Sequence, residues 1–122
     1  MDKYAGRELE DALKIVSSTI IKCEKIQPKF PLGSSQYTLL KNRIKALYIS
    51  KALISNENIM AKYTREELLE ALPPLASIIS KCEKAQQKYK EGTSYHTRFK
   101  KMIDAMNLAK ELITDAINET SQ

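Results

Sequence analysis

The sequence predicts an all-α fold, an up-down-up-down four-helix bundle made of two tandem-duplicated helical hairpins. Three observations lead there. Residues 4–54 recur without a gap as residues 63–113, always 59 positions later, with 22 identities in 51 aligned positions. Four long stretches carry apolar side chains at spacings of three and four, the mark of a helix with one buried stripe. Each copy also holds a short glycine turn, which makes its two helices antiparallel neighbours. The chain divides into repeat one (4–54), a polar linker (55–62) and repeat two (63–113), read together as one helical domain over 1–122.

Helix one is expected from about Arg7 to Gln27, on the seam Leu9, Leu13, Val16, Ile20 and Cys23. Pro28 and Pro31 stop it, because proline lacks the N–H and clashes with the preceding turn. Gly33 reverses the chain, and Ser34 or Ser35 can cap the next helix. Helix two then runs to about Ile54, with Leu40, Ile44, Leu47 and Leu53 among its apolar positions. Thr64-Arg65-Glu66-Glu67 has the spacing of a capping box, so helix three starts at Arg65. Its seam is Leu68, Leu72, Leu75, Ile79 and Cys82. Pro73-Pro74 falls within it, where copy one has Lys14-Ile15, and predicts a kink or break. Glu91-Gly92-Thr93 makes the second turn. Helix four is expected from about Ser94 to Asn118, with Phe99, Met102, Ile103, Met106, Ala109, Ile113 and Ala116 on one face.

At 122 residues, with few glycines and prolines, the composition is globular and helix-leaning. No apolar run approaches the ~20 residues that span a bilayer. Met1-Asp2-Lys3-Tyr4 has no apolar stretch or small-residue cleavage site. Two cysteines at equivalent places and no secretion signal predict reduced thiols in the cytoplasm, and no membrane partner.

Charge is concentrated at the predicted turns. Residues 22–45 carry six cations against Glu24 alone, and residues 81–101 carry seven against Glu83 and Glu91, so each segment sums to +5. The whole chain is also +5, which leaves −5 for everything else. Helices two and four begin here, where unpaired N–H groups and the positive dipole end favour anions. Ser35, Thr38, Lys41 and Arg43 in copy one, with Ser94, Thr97, Arg98, Lys100 and Lys101 in copy two, are therefore the candidate anion-binding residues. Phe30, Tyr37, Tyr89, Tyr95 and His96 place rings nearby, and a ring can stack a base. The segment is not a P-loop, since it lacks the second glycine and the adjacent Lys-[Ser/Thr] pair.

Plainer roles account for many of these residues singly. Lysines at the ends of helices one and three complement the dipole, and Ser34, Ser35, Thr93 and Ser94 can be caps. Lys41, Arg43, Lys45, Arg98, Lys100 and Lys101 stand near helix starts, where the dipole disfavours them, and a solvated face is their alternative. Phe30, Phe99 and Tyr89 read as core or core-edge residues. His96 answers to Tyr37, so its expected role is surface or capping rather than general base. Cys23 and Cys82 sit on the apolar seam as small hydrophobes, on helices expected to be diagonal and too far apart for a disulfide. No zinc spacing and no Glu-x-x-His pairs for a di-iron bundle occur. No metal, cofactor or catalytic constellation is expected, and the chain reads as a non-enzyme.

Two functions follow. The first is a small interaction module binding a protein partner or itself, because Leu39, Leu47, Tyr48, Ile49 and Ile54 give helix two more apolar breadth than one stripe. The second is an anion-binding protein whose basic end takes up a nucleotide or nucleic-acid phosphate. In general helix patterning, over at most one hairpin per copy, the repeat resembles the small helical hairpin domains of phage proteins that sequester cyclic-nucleotide immune signals. That resemblance favours nucleotide binding and assigns no residue.

Overall fold

The computed structural model describes residues 4–120, the side chain of residue 60 apart. Residues 1–3, read above for a leader, and 121–122 lie outside the described residues. The chain forms four helices and no strands among the described residues: α1 (Gly6–Ile26), α2 (Ser35–Ile54), α3 (Arg65–Gln86) and α4 (Ser94–Thr120). α1 starts and ends one residue earlier than its periodicity suggested, and α4 runs two residues further.

Local chemistry sets the boundaries. Ahead of α3, the Glu67 backbone N–H donates to Thr64 Oγ1 at 3.1 Å, while the Thr64 N–H donates to Glu67 Oε1 at 2.9 Å. Two orphan donors are thus satisfied reciprocally. α1 keeps half of this device, with the Ala5 N–H donating to Glu8 Oε1 at 3.1 Å. After α1 a 3-10 turn, Gln27–Lys29, takes Pro28 into its start, where no N–H is missed. α2 ends in a Schellman arrangement: Asn56 has φ 59°, its N–H reaches the Leu53 carbonyl at 3.0 Å, and the Glu57 N–H reaches Ala52 at 2.9 Å.

α3 continues unbroken through Pro73 and Pro74, so of the kink or break expected there the break does not occur. The carbonyls that lose their donors belong to Leu69 and Glu70. Both residues are exposed, so water can replace the missing N–H groups.

One apolar core draws on all four helices and on Ile59 of the linker. The linker is therefore not wholly polar; its 3-10 turn, Ile59–Ala61, tucks Ile59 inward. Many buried positions coincide at the repeat offset: Ala12 with Ala71, Val16 with Leu75, Ala46 with Ala105, Leu47 with Met106, Ile49 with Leu108 and Ile54 with Ile113. Each large aliphatic chain so buried contributes about 1.5–3 kcal/mol. Ser50 is the one fully buried polar side chain among the described residues, and its hydroxyl donates to the Ala46 carbonyl at 2.8 Å.

The packing fits a bundle. α3 and α4 share the most extensive interface, and α1 packs on α2 and α4. α2 and α4 each touch all three other helices, whereas no Cα of α1 lies within 8 Å of one in α3. That geometry accounts for the apolar breadth of α2. Leu47, Ile49 and Ile54 are buried, and only Leu39 and Tyr48 remain about 40% exposed. Most of the second stripe read from the sequence is spent inside the molecule.

Candidate functional site

The first turn and the start of α2 are built on Gly33, whose φ of 86° suits a residue without Cβ. The Ser34 N–H closes on the Pro31 carbonyl at 3.0 Å, and Ser34 Oγ caps α2 by accepting the Tyr37 N–H at 3.2 Å. The cap is Ser34, so Ser35 is left as the first helical residue, exposed, with its hydroxyl 3.3 Å from Gln36 Oε1. Thr38 and Lys41 are exposed on the following turns. Arg43 is half-buried, and its Nη2 donates to Ser77 Oγ of α3 at 3.2 Å. Its Nε is buried without an acceptor.

The second turn repeats this construction. Gly92 has φ 94°, and Thr93 Oγ1 accepts the His96 N–H at 3.3 Å while donating to the Lys90 carbonyl at 2.8 Å. The His96 carbonyl is held by Gln86 Nε2 at 3.2 Å. Ser94, Thr97 and Arg98 are exposed. Lys100 pairs with Asp104 at 3.1 Å one helical turn on. Lys101 lines a groove between α1 and α4.

Tyr89 is more exposed than a core residue. Its ring stacks on Tyr95, with centroids 4.9 Å apart, and on Phe99 at 6.0 Å. Phe30 is half-buried and packs on the core edge.

Of the nine candidate residues, only Lys101 lines either of two interhelix grooves. The α1–α4 groove has a volume of about 710 Å³, and the α2–α3 groove about 540 Å³. The repeat relates them. Glu8, Asp11, Ala12, Lys14 and Ile15 line the first as Glu67, Glu70, Ala71, Pro73 and Pro74 line the second. Both walls mix acids with bases, so neither groove is an anion cradle. No sequence signal announced them, because a groove arises from how far apart two helices settle.

Electrostatics divide the cations into two groups. Lys45 pairs with Glu67 at 2.7 Å, Lys62 with Glu57 at 2.8 Å, and Lys100 with Asp104. The hydrogen bond to Lys45 and that from the Thr64 backbone hold the Glu67 carboxyl below its ordinary range, while Lys45 is raised by the same contact. Lys22, Lys25, Lys29, Lys41, Lys81, Lys84, Lys88, Lys90, Arg98 and Lys101 make no ion pair among the described residues. The thiols of Cys23 and Cys82 are pushed up by burial, partly opposed by the Arg43 guanidinium. Both are free, and their helices stand too far apart for the ~4.4–6.8 Å Cα separation of a disulfide. Among the described residues, no group of three or more His, Cys, Asp or Glu could hold a metal ion. No helix among them is long and apolar enough to cross a membrane.

Compared with known proteins, the chain matches no family model, no curated protein and no solved structure.

Proposed function

We propose that this chain is a small cytoplasmic, non-enzymatic interaction module, an up-down-up-down bundle of two duplicated hairpins that binds a protein partner or a second copy of itself. The direction of the helices is supported by side-chain pairs that run in opposite order. Tyr4 meets Glu111 and Thr19 meets Met102 between α1 and α4. Lys45 meets Glu67 and Arg43 meets Ser77 between α2 and α3. The duplication is supported by caps, turn glycines and buried positions that coincide at one offset of 59. A cytoplasmic location is supported by two unpaired thiols.

In this arrangement both turns lie at one end, and the linker lies at the other. The observation that carries the function is at the two turns: Ile26 and Leu32 stand exposed at the first, and Tyr89 and Tyr95, stacked on each other, at the second. The neighbouring Lys25, Lys29, Lys88 and Lys90 make no ion pair among the described residues. Apolar side chains left outside a core in a group mark a contact surface. Native mass spectrometry of the protein from its own cells, at low and then moderate salt, tests this. A homogeneous complex, either a multiple of the chain or a defined heteromer, is expected, and it should dissociate in an Ile26→Ser/Leu32→Ser variant. A bare monomer in every preparation would count against it.

A second reading, anion binding, is favoured by the unpaired cations Lys41 and Arg98 near the starts of α2 and α4. Its mark would be an adduct of nucleotide mass, lost in Lys41→Ala/Arg98→Ala.

A further inference from the structure

We infer that the turn end of hairpin one is a docking surface for an acidic, amphipathic segment of a partner protein. This surface is assigned on the strength of the interaction-module reading and specifies the partner's chemistry. Lys22 and Ile26 are four apart at the end of α1 and so share a face, and Lys29 follows three residues on, one full turn of the 3-10 helix Gln27–Lys29. Lys25 lies beside them. Leu32 stands beyond, 84% exposed, and Ile26 is 42% exposed. None of the three lysines makes an ion pair among the described residues. Two aliphatic side chains in a row of free ammonium groups match a segment with apolar side chains on one face and carboxylates alongside. Such complementarity sets register and partner choice.

Hairpin two is a control within the same molecule. Lys81, Lys84 and Lys88 reproduce the three lysines, but Ala85 replaces Ile26 and Glu91 replaces Leu32. Helix-dipole compensation explains the cations in both hairpins. It does not explain the aliphatic pair, which only hairpin one carries.

Two other occupants fit less well. Aliphatic chains do not stack bases, and the exposed rings of hairpin two, Tyr89 and Tyr95, are stacked on each other. An anionic membrane meeting the end of the bundle would press Glu91 into its headgroups. A second copy does carry acids away from its turns, Glu8, Glu10, Asp11, Glu66 and Glu70 among them, so a homodimer that Leu32→Glu dissociates would overturn the assignment.

The test uses the full chain and a fluorescein-labelled synthetic peptide with Leu and Glu at helical spacing, read by anisotropy. Leu32→Glu installs the residue of hairpin two at an exposed site, and circular dichroism confirms that it folds. The wild type should bind the peptide, more weakly as salt rises, and Leu32→Glu should lose about tenfold in affinity. Equal affinity in both proteins, or no binding by the wild type, overturns the assignment. Tighter binding to poly(U) or to phosphatidylserine vesicles than to the peptide also overturns it. A native complex that Leu32→Glu leaves intact removes this surface while the interaction module stands. A bare monomer that still binds the peptide in a Leu32-dependent way does the reverse.

Discussion

Residues 4–54 and 63–113 keep similar side chains at most positions that both bury, whereas at exposed positions some are kept, such as Lys22 and Lys81, and others are exchanged. Val16 answers to Leu75 and Leu47 to Met106, all without exposure, and the turn glycines share one backbone conformation. At the turns, Pro31-Leu32 answers to Lys90-Glu91, and at the helix starts Ala5 answers to Thr64. Close packing favours apolar residues of similar volume at the first set. Nothing in the fold constrains the second set so tightly, and there the two segments carry different chemistry.

Exchanging residues between the copies sharpens this comparison. The largest effect is expected from Ile15→Pro, which gives α1 one of the prolines of α3. It removes an interior N–H and the packing of a half-buried side chain, and should cost about 4 kcal/mol in urea unfolding. The reverse, Pro74→Ile, should gain only about 1–2 kcal/mol, because the proline also restricts the unfolded chain. Equal and opposite changes would break the idea that α3 has accommodated its prolines. Next, Leu47→Ala and Met106→Ala should each cost about 3 kcal/mol by the same measurement. A twofold difference between them would show that the two halves of the core are not equally packed.

Caps should have smaller effects. Thr64→Ala should destabilise by about 1 kcal/mol, and Ala5→Thr should stabilise by a similar amount, both read from thermal unfolding. The smallest effect is pH-dependent. Because the Glu67 pKa is lowered by folding, its contribution is present above the ordinary carboxylate range and fades as pH falls through the depressed value. Glu67→Gln should therefore lower the Tm at pH 7 and match the wild type near about pH 2. A pH-independent difference at Glu67 would remove Lys45 from the account.

Local features were legible because they are written in consecutive residues. Thr64 and Glu67 predicted their own hydrogen bonds, and Gly33 and Gly92 predicted the reversals. Features set by distant partners were not. The apolar breadth of α2 looked like a surface until its contacts with three helices absorbed Leu47, Ile49 and Ile54. Ile59 sat in a polar linker, and only the fold brings it to the core. Pro73 and Pro74 signalled a kink or a break, but whether a carbonyl can turn to water depends on exposure, which sequence does not state. At the candidate site, the spacing of Ser35, Thr38 and Lys41 fixed their place on a helix, and likewise in copy two. It could not say that Lys100 is engaged by Asp104 while Lys41 is free, or that Arg43 reaches across to Ser77.

The contact of α2 with α4 across one diagonal, with none across the other, makes the cross-section a rhombus rather than a square. Its short diagonal holds two helices enclosed by neighbours, and its far corners hold α1 and α3, each supported from two sides. Loosening of such a molecule begins at a corner, where one helix lifts while the remaining three stay in mutual contact. The corner held least is α1, since α3 shares the most extensive interface with α4, so the amide protons of α1 are expected to reach water first.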